Sequence, residues 1–237
     1  MKMKVKKVSK RNEEISYWLS FSDLMSGLLI IFILLSVYML LDYKSAAAEL
    51  EMTKQTLAEY THMNTTIIEK LKAELGSSIS IDSDTGTLVL NSELLFDSGK
   101  SELKPEGKLF LNEIMPAYFR ILFKDTEIRE NIAGITIEGY TDDQGTYEYG
   151  LSLSYNRALS VYYYMLNDPG FQEYHDDMKK LIILTGRSEA GYLPINENET
   201  PEDWRKRNRR VEIKFDLKYR EIYKQLEQYL NNAVQEK

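Results

Sequence analysis

The sequence predicts an α+β protein with a single N-terminal transmembrane helix, a helical linker and a folded α/β sandwich domain. Residues 18–42 form an apolar run without lysine or arginine. The polar stretch that follows holds no glycine or proline before Gly76, which is typical of a helix. Segments with strand-like alternation and helix-like spacing then follow one another. The predicted parts are a basic cytoplasmic N-terminus (1–17), the transmembrane helix (18–42), the linker (43–77), the α/β domain (78–217) and a C-terminal helical tail (218–237).

The composition excludes several classes of function. Of the 237 residues, 43% are hydrophobic and 28% are charged, which is the balance of a folded chain. The net charge of -7 argues against broad attraction to nucleic acid. The chain has no cysteine, which excludes disulfides, thiolate metal sites and cysteine nucleophiles. With His62 and His175 as its two histidines, it is a poor candidate for a His-based triad. We therefore expect no enzyme, no cofactor and no metal site.

The apolar run is long enough to cross a membrane. From Trp18 to Leu41 a helix extends about 36 Å, against about 30 Å for the hydrocarbon core of a bilayer. Basic residues are concentrated before the run, and by the positive-inside rule this places the N-terminus in the cytoplasm and the domain outside. These residues are Lys2, Lys4, Lys6, Lys7, Lys10 and Arg11.

A cleaved signal peptide is the alternative interpretation of this run. Ala46 and Ala48 form a small-x-small pattern of the kind found at cleavage sites. The apolar core of a signal peptide is usually about 7–15 residues long, however, and this run is longer. Its length favours a permanent single-span anchor.

Asp23 is the one residue between Trp18 and Leu41 whose side chain is charged at neutral pH in water. A carboxylate costs about 2.5–3.5 kcal/mol at the centre of a membrane helix and less near its edge. It could cap the helix at the level of the lipid headgroups. Because Trp18, Leu19 and Phe21 precede it, it would instead lie roughly 7 Å inside the interface. A partly desolvated carboxylate can take up and release a proton near neutral pH, so Asp23 is a candidate ion-relay residue.

The linker carries an apolar stripe with two interpretations. Leu50 and Leu57 are seven residues apart, and Ile67, Leu71 and Leu75 follow at steps of four. Such a stripe could form a short coiled coil that pairs two copies of the chain. It could equally belong to a helix that lies on the next domain.

The domain alternates strands and helices. Pro105 is suited to the first turn of a helix, and Leu109, Leu111, Ile114, Met115 and Phe119 are available for burial on it. The predicted elements are a hairpin around 82–86, a helix from Pro105 through Phe119 or beyond, a strand over 132–140, a helix over 149–166, strands over 181–185 and 210–217, and a polar loop over 189–204.

Three stretches carry a family resemblance. The sequence IEGYTDDQGTYEYGLSLSYNRALSV, over 137–161, resembles the signature of OmpA-like peptidoglycan-binding domains. LFDSGKSELKPEG, over 95–107, looks like the start of that family's first helix, and NRRVEI, over 208–213, looks like its closing strand. The resemblance covers most of the predicted domain and implies an OmpA-like α/β sandwich that binds peptidoglycan.

The local chemistry fits such a ligand. Asp142 can accept hydrogen bonds from an ammonium group, and Arg157 can donate two charge-assisted bonds to a carboxylate. These are the groups at the free end of a meso-diaminopimelate side chain. Tyr149 and Leu153 are four residues apart and share a helical face. Taken without the family pattern, Asp142 and Arg157 could also form a structural ion pair. The resemblance implies that Asp142, Tyr149, Leu153 and Arg157 form the peptidoglycan-binding site.

Gly150 departs from the family pattern, which usually has asparagine at this position. The missing amide could weaken peptide binding, and the glycine could delay the start of the helix.

The membrane segment carries a second resemblance. WLSFSDLMSGLLIIF, over 18–32, is similar to the membrane helix of MotB-type stator proteins, which combine it with an OmpA-like domain. The resemblance implies a homodimer inside a ring of MotA-like subunits in the cell inner membrane, with the C-terminal domain in the periplasm. It also implies that Asp23 carries the translocated ion, most simply a proton.

Within this family, the extended resemblance over 137–161, the lengthened loop over 189–204 and the short chain favour the ZorB-type subunits of Zorya anti-phage defence systems. The implied partner is then a ZorA-like membrane protein. Two alternatives are a flagellar stator subunit and a passive membrane-to-wall anchor. Hydrolysis is disfavoured because Asp142, Asp143 and Glu148 share one short loop and do not flank a cleft.

Overall fold

The computed structural model describes residues 2–76 and 78–218, with side chains from Tyr17 onward except at residue 20. The predicted C-terminal tail, 218–237, lies outside the described residues except for Lys218. The chain divides into an N-terminal unit that ends at Gln55 and a compact unit that begins at Thr56.

The N-terminal unit is helical throughout its described residues. It belongs to helix α1, Lys2–Leu75. The apolar side chains of 24–41 are exposed on every side of the helix, as expected of a helix that crosses a membrane. By length and composition, α1 is the one helix among the described residues that could make such a crossing. Asp23 is exposed on this helix, and one turn further on the Ser26 hydroxyl donates to the Ser22 carbonyl over 2.8 Å.

The compact unit is a five-stranded mixed sheet with helices, as the predicted fold class requires. The sheet order is β1-β2-β5-β3-β4, with β3 and β4 parallel and the other pairs antiparallel. The strands are β1 Ser80–Ile81, β2 Leu88–Asn91, β3 Ile132–Gly139, β4 Ile182–Gly186 and β5 Arg210–Leu217. The helices are α2 Ser92–Leu95, α3 Pro105–Lys124, α4 Thr126–Asn131, α5 Tyr147–Asn167, a 3-10 helix Pro169–Tyr174, α6 His175–Leu181 and α7 Pro201–Asn208.

The core lies between the sheet and the long helices. Along β5 the odd-numbered residues from Val211 to Leu217 are buried and apolar, as alternation along a strand requires. Helix α3 adds a buried stripe that includes Leu111, Met115 and Leu122. The expectation that Leu109 would be buried is wrong, because its side chain is 71% exposed. It is two residues from Leu111, so it projects from nearly the opposite side of the helix.

The last turns of α1 belong to this core. Ile67, Leu71 and Leu75 are buried with the residues of the sheet and α3, so this part of the linker is a helix that lies on the domain. Surface ion pairs accompany the apolar contact: Glu74 pairs with Arg120 of α3 at 2.6 Å, and Lys70 with Asp125 at 2.8 Å.

One element of the predicted polar loop is helical. The interpretation of 189–204 as loop is wrong from Pro201 onward, where α7 begins. Thr200 caps this helix by accepting a hydrogen bond from the Asp203 backbone N–H over 3.2 Å, and Pro201 occupies the first turn. Threonine followed by proline is a recognised helix start, but the many polar residues around it masked the signal.

A buried network of ion pairs lies on the face of the sheet that carries the even-numbered side chains of β5. At its centre is Glu138 of β3, which is 4% exposed. Its carboxylate accepts hydrogen bonds from Tyr140 at 2.8 Å and Arg187 at 3.0 Å, and it pairs with Lys214 at 2.5 Å. Burial by itself opposes ionisation, but the hydrogen bonds from Lys214, Tyr140 and Arg187 outweigh it and lower the pKa of Glu138 to about 2.

Replacing Glu138 with glutamine is expected to lower the free energy of unfolding near pH 7 by about 3 kcal/mol. The pKa of Glu138 is lower in the folded state than its ordinary 4.5, so its contribution is present above pH 4.5 and is lost as the pH falls toward 2. Urea denaturation of the detergent-solubilised protein at several pH values measures this. The difference between wild type and Glu138→Gln should shrink over that interval. A difference that stays constant with pH would contradict the assignment.

Candidate functional site

A pocket of about 350 Å³ lies where β3 ends and α5 begins. All four residues predicted to bind peptidoglycan line it: Asp142, Tyr149, Leu153 and Arg157. Asp142 follows β3, and the other three occupy successive turns of α5, so a spacing of four residues places them along one face. Asp23 belongs to the N-terminal unit and is not part of this pocket.

Arg157 lies in the wall of the pocket, and its Nη1 donor has no hydrogen-bond partner. Its side chain is 3% exposed, its Nε donates to the Lys100 carbonyl over 3.0 Å, and its guanidinium lies 5.3 Å from the centre of the Phe96 ring. Its Nη1 is buried and has no hydrogen-bond partner. Burial lowers the pKa of Arg157, since the charged form is desolvated. An anionic ligand group would satisfy both the free donor and the charge.

Asp142 pairs with Arg209 and not with Arg157. Its Oδ2 accepts from Arg209 Nη1 at 2.5 Å, and its Oδ1 accepts from the Gln144 backbone N–H at 3.1 Å. The alternative of a structural pair between Asp142 and Arg157 is therefore not what the fold contains. Sequence reasoning missed Arg209, although it stands in the NRRVEI stretch that was interpreted as the closing strand.

Two further polar atoms in the pocket are buried without partners. They are Ser92 Oγ, at the start of α2, and Thr141 Oγ1, just before Asp142. An unpaired buried polar group costs about 1–3 kcal/mol, so native proteins contain few of them. Ser92, Thr141 and Arg157, the three residues that carry these atoms, all line this one pocket. Its walls thus contain polar atoms that the described residues leave without partners.

Tyr149 and Leu153 flank the charged groups. Tyr149 is 52% exposed, and its hydroxyl donates to the Gly99 carbonyl at 3.5 Å. Leu153 is half-buried one turn further along α5. The helix begins at Tyr147, where Thr146 caps it by accepting from the Tyr149 N–H at 3.3 Å. Gly150 therefore does not delay the start of the helix.

Gly150 is required by the close approach of neighbouring side chains. A Cβ atom at this position would lie 2.4 Å from Ser188 Oγ and 2.8 Å from Thr141 Oγ1. Ser188 is in turn held by a hydrogen bond from its hydroxyl to the Tyr147 carbonyl at 3.1 Å. Glycine at position 150 thus leaves room for the side chains of Ser188 and Thr141.

Gly150→Asn, which restores the residue usual in the family, is expected to destabilise this protein by about 1–2 kcal/mol. The new side chain forces Ser188 out of its hydrogen bond to Tyr147. Thermal unfolding of Gly150→Asn, Ser188→Ala and the double variant measures the effect as a cycle. In the double variant the penalty of Gly150→Asn should be smaller. A Gly150→Asn protein that melts at or above the wild-type temperature would contradict the prediction.

Comparison with known proteins agrees with the fold. Residues 95–209 match the model of the OmpA family. The chain is 29% identical to the Zorya protein ZorB of Escherichia coli strain Crooks, over 88% of this chain and 91% of that protein. It is 22% identical to ZorB of Escherichia coli O139:H28, over 90% of this chain and 85% of that protein.

Among solved structures, the periplasmic domain of Helicobacter pylori MotB aligns at 22% identity and a TM-score of 0.42. The alignment covers 65% of this chain and 97% of that one. The alignments to the ZorB proteins cover 88% and 90% of this chain, so they extend well beyond the residues that match the OmpA family. Residues 95–209 thus match the OmpA family, and the chain as a whole is similar to the ZorB proteins.

Proposed function

We propose that this protein is the MotB-like subunit of an ion-driven membrane motor, and that it anchors the motor to peptidoglycan in a Zorya-type anti-phage defence. Its OmpA-family domain and its similarity to two Zorya proteins support the assignment. The observation that supports wall binding is the pocket lined by Asp142 and by Ser92, Thr141 and Arg157, each of which has a buried polar atom without a partner.

The ligand in this proposal is the free end of a meso-diaminopimelate side chain in a peptidoglycan stem peptide. Its carboxylate binds Arg157, whose Nη1 gains the partner that it lacks in the unliganded chain. Its ammonium group binds at Asp142. The aliphatic part of the side chain lies against Leu153, with Tyr149 at the exposed edge of the pocket.

The ion pathway in this proposal depends on Asp23. The apolar helix that carries it is exposed on all sides in the single chain, so its environment must be lipid or protein. A second copy of the chain and a surrounding ring of MotA-like, ZorA-like subunits would provide protein contacts for Asp23. In this arrangement the N-terminus is cytoplasmic and the OmpA-family domain is periplasmic.

Sedimentation with purified peptidoglycan tests the wall-binding part. Full-length protein in detergent is mixed with sacculi of the meso-diaminopimelate type and centrifuged. We expect the protein in the pellet, and we expect a soluble meso-diaminopimelate tripeptide to release it. A tripeptide with lysine at the same position lacks the distal carboxylate and should release little. Protein that stays in the supernatant would refute peptidoglycan binding.

A further inference from the structure

Arg209 connects three carboxylates at the edge of the pocket. Its Nη1 donates to Asp142 at 2.5 Å, and its Nη2 donates to Glu93 at 2.8 Å and to Glu202 at 2.9 Å. The Arg209 backbone is fixed as well, since its carbonyl accepts from the Ser92 N–H at 3.0 Å. We call these four side chains, Arg209 with Glu93, Asp142 and Glu202, the Arg209 cluster.

The Arg209 cluster carries excess negative charge. Three carboxylates against one guanidinium give a net charge of -2 (three minus one). Burial opposes the charge of Arg209, but hydrogen bonds with Glu93, Asp142 and Glu202 outweigh it and raise its pKa, so the residue remains a cation. A single guanidinium shared by three carboxylates cannot neutralise Asp142 completely.

The same pocket presents the opposite charge on its other side. Arg157 lines it, is almost fully buried and has an unpartnered Nη1, which points independently to a ligand. Ser92 Oγ and Thr141 Oγ1 are also buried and unpartnered there. The pocket is therefore negative at the Arg209 cluster and positive at Arg157, as a zwitterionic ligand requires.

Helix α7 is what brings Glu202 to the pocket. Glu202 lies in the first turn of α7, and Arg209 directly follows the last turn. Arg205, on the same helix, holds α7 to the pocket loop through an ion pair with Asp143 at 2.7 Å. The lengthened segment that begins at 189 thus contributes Glu202, through α7, to the pocket lining.

We propose that Glu93 and Glu202 are specificity-determining residues for the ligand's ammonium group, because they share Arg209 and so leave Asp142 with uncompensated negative charge. This rests on the proposed function and deepens it. The ligand class is a stem peptide with a free side-chain amine next to a carboxylate. Without the two glutamates, Arg209 pairs with Asp142 alone, and the attraction for the ammonium falls.

Isothermal titration of the full-length protein with two tripeptides tests this. One tripeptide carries meso-diaminopimelate with a free side-chain amine, and in the other that amine is acetylated. For the free-amine peptide we expect Glu93→Gln/Glu202→Gln to raise the Kd roughly tenfold, which is the size expected for two charges a few ångströms beyond the contact. For the acetylated peptide, which keeps the carboxylate but has no ammonium charge, the variant should bind at least as tightly as wild type.

The matched control is Glu113→Gln/Glu173→Gln, which changes the net charge equally at two exposed positions outside the pocket. It should bind both peptides as wild type does. If the Glu93→Gln/Glu202→Gln protein does not fold, the two single variants replace it, each with roughly threefold weaker binding of the free-amine peptide.

Two results would overturn this inference while leaving the proposed function intact. One is an equal loss for both peptides, which would make Glu93 and Glu202 purely structural. The other is unchanged or tighter binding of the free-amine peptide. If wild type binds neither peptide, the proposed wall-binding function fails together with the inference.

Discussion

Asp23→Asn is expected to abolish phage protection in cells that carry the native gene cluster, at an unchanged protein level. Asparagine keeps the size and polarity of the side chain but cannot carry a proton, so a motor driven through this helix stops. The apolar surface on either side of position 23 is untouched, so membrane insertion should persist. Phage plating efficiency, with immunoblotting of the membrane fraction, measures both.

Asp42→Asn is the matched control for this prediction. It makes the same chemical change on the same helix, at the end of the predicted span. It should protect as wild type does. If Asp23→Asn also protects, the ion-relay role is wrong and a passive wall anchor explains the protein better. If wild type itself gives no protection, the defence assignment is wrong, and a swimming defect on deletion would indicate a flagellar stator.

Arg157→Gln is expected to weaken binding of the meso-diaminopimelate tripeptide by about 100-fold. It removes the charge-assisted contact that the proposal places between Arg157 Nη1 and the ligand carboxylate, for which about 2–3 kcal/mol is typical. Arg157→Lys should lie between wild type and glutamine, because lysine keeps the charge but loses the planar fork over Phe96. Titration calorimetry of the full-length variants gives the ratio of Kd values.

Arg129→Gln provides the comparison for Arg157→Gln. It removes an arginine on α4 that pairs with Asp177 at 2.6 Å, away from the residues that line the pocket. Its tripeptide affinity should equal that of wild type. Equal affinities for wild type and Arg157→Gln, with both proteins folded by circular dichroism, would remove Arg157 from the binding site.

Much of the pocket was predictable because its determinants are local. Arg157, Leu153 and Tyr149 are spaced by four on one helix, and Asp142 lies in the loop between β3 and that helix, so a strand–loop–helix unit brings them together. Arg209 was not predictable in the same way. It is 67 residues from Asp142, and their contact depends on how β5 lies beside β3 in the sheet. The sequence shows which residues are charged, but not which distant residue each of them pairs with.

In the fold, too, features with local sequence signals were predictable, and features that depend on contacts were not. The alternation of β5 and the proline at the start of α3 are local signals, and both elements lie where predicted. The exposure of Leu109 follows from helical spacing relative to Leu111, which a list of apolar residues does not express. Glycine is needed at position 150 because Ser188, which follows β4 and is distant in the sequence, lies close to it in the fold.

The burial of Ile67, Leu71 and Leu75 has a mechanical consequence. A tensile load applied to α1 at Thr56 enters the OmpA-family domain through side chains embedded in its core, and through the ion pairs at Glu74 and Lys70. Detaching these turns would expose apolar surface to water, so the joint resists being peeled away. If the protein anchors a motor to the wall as proposed, this joint would transmit the load to the domain without rotating freely.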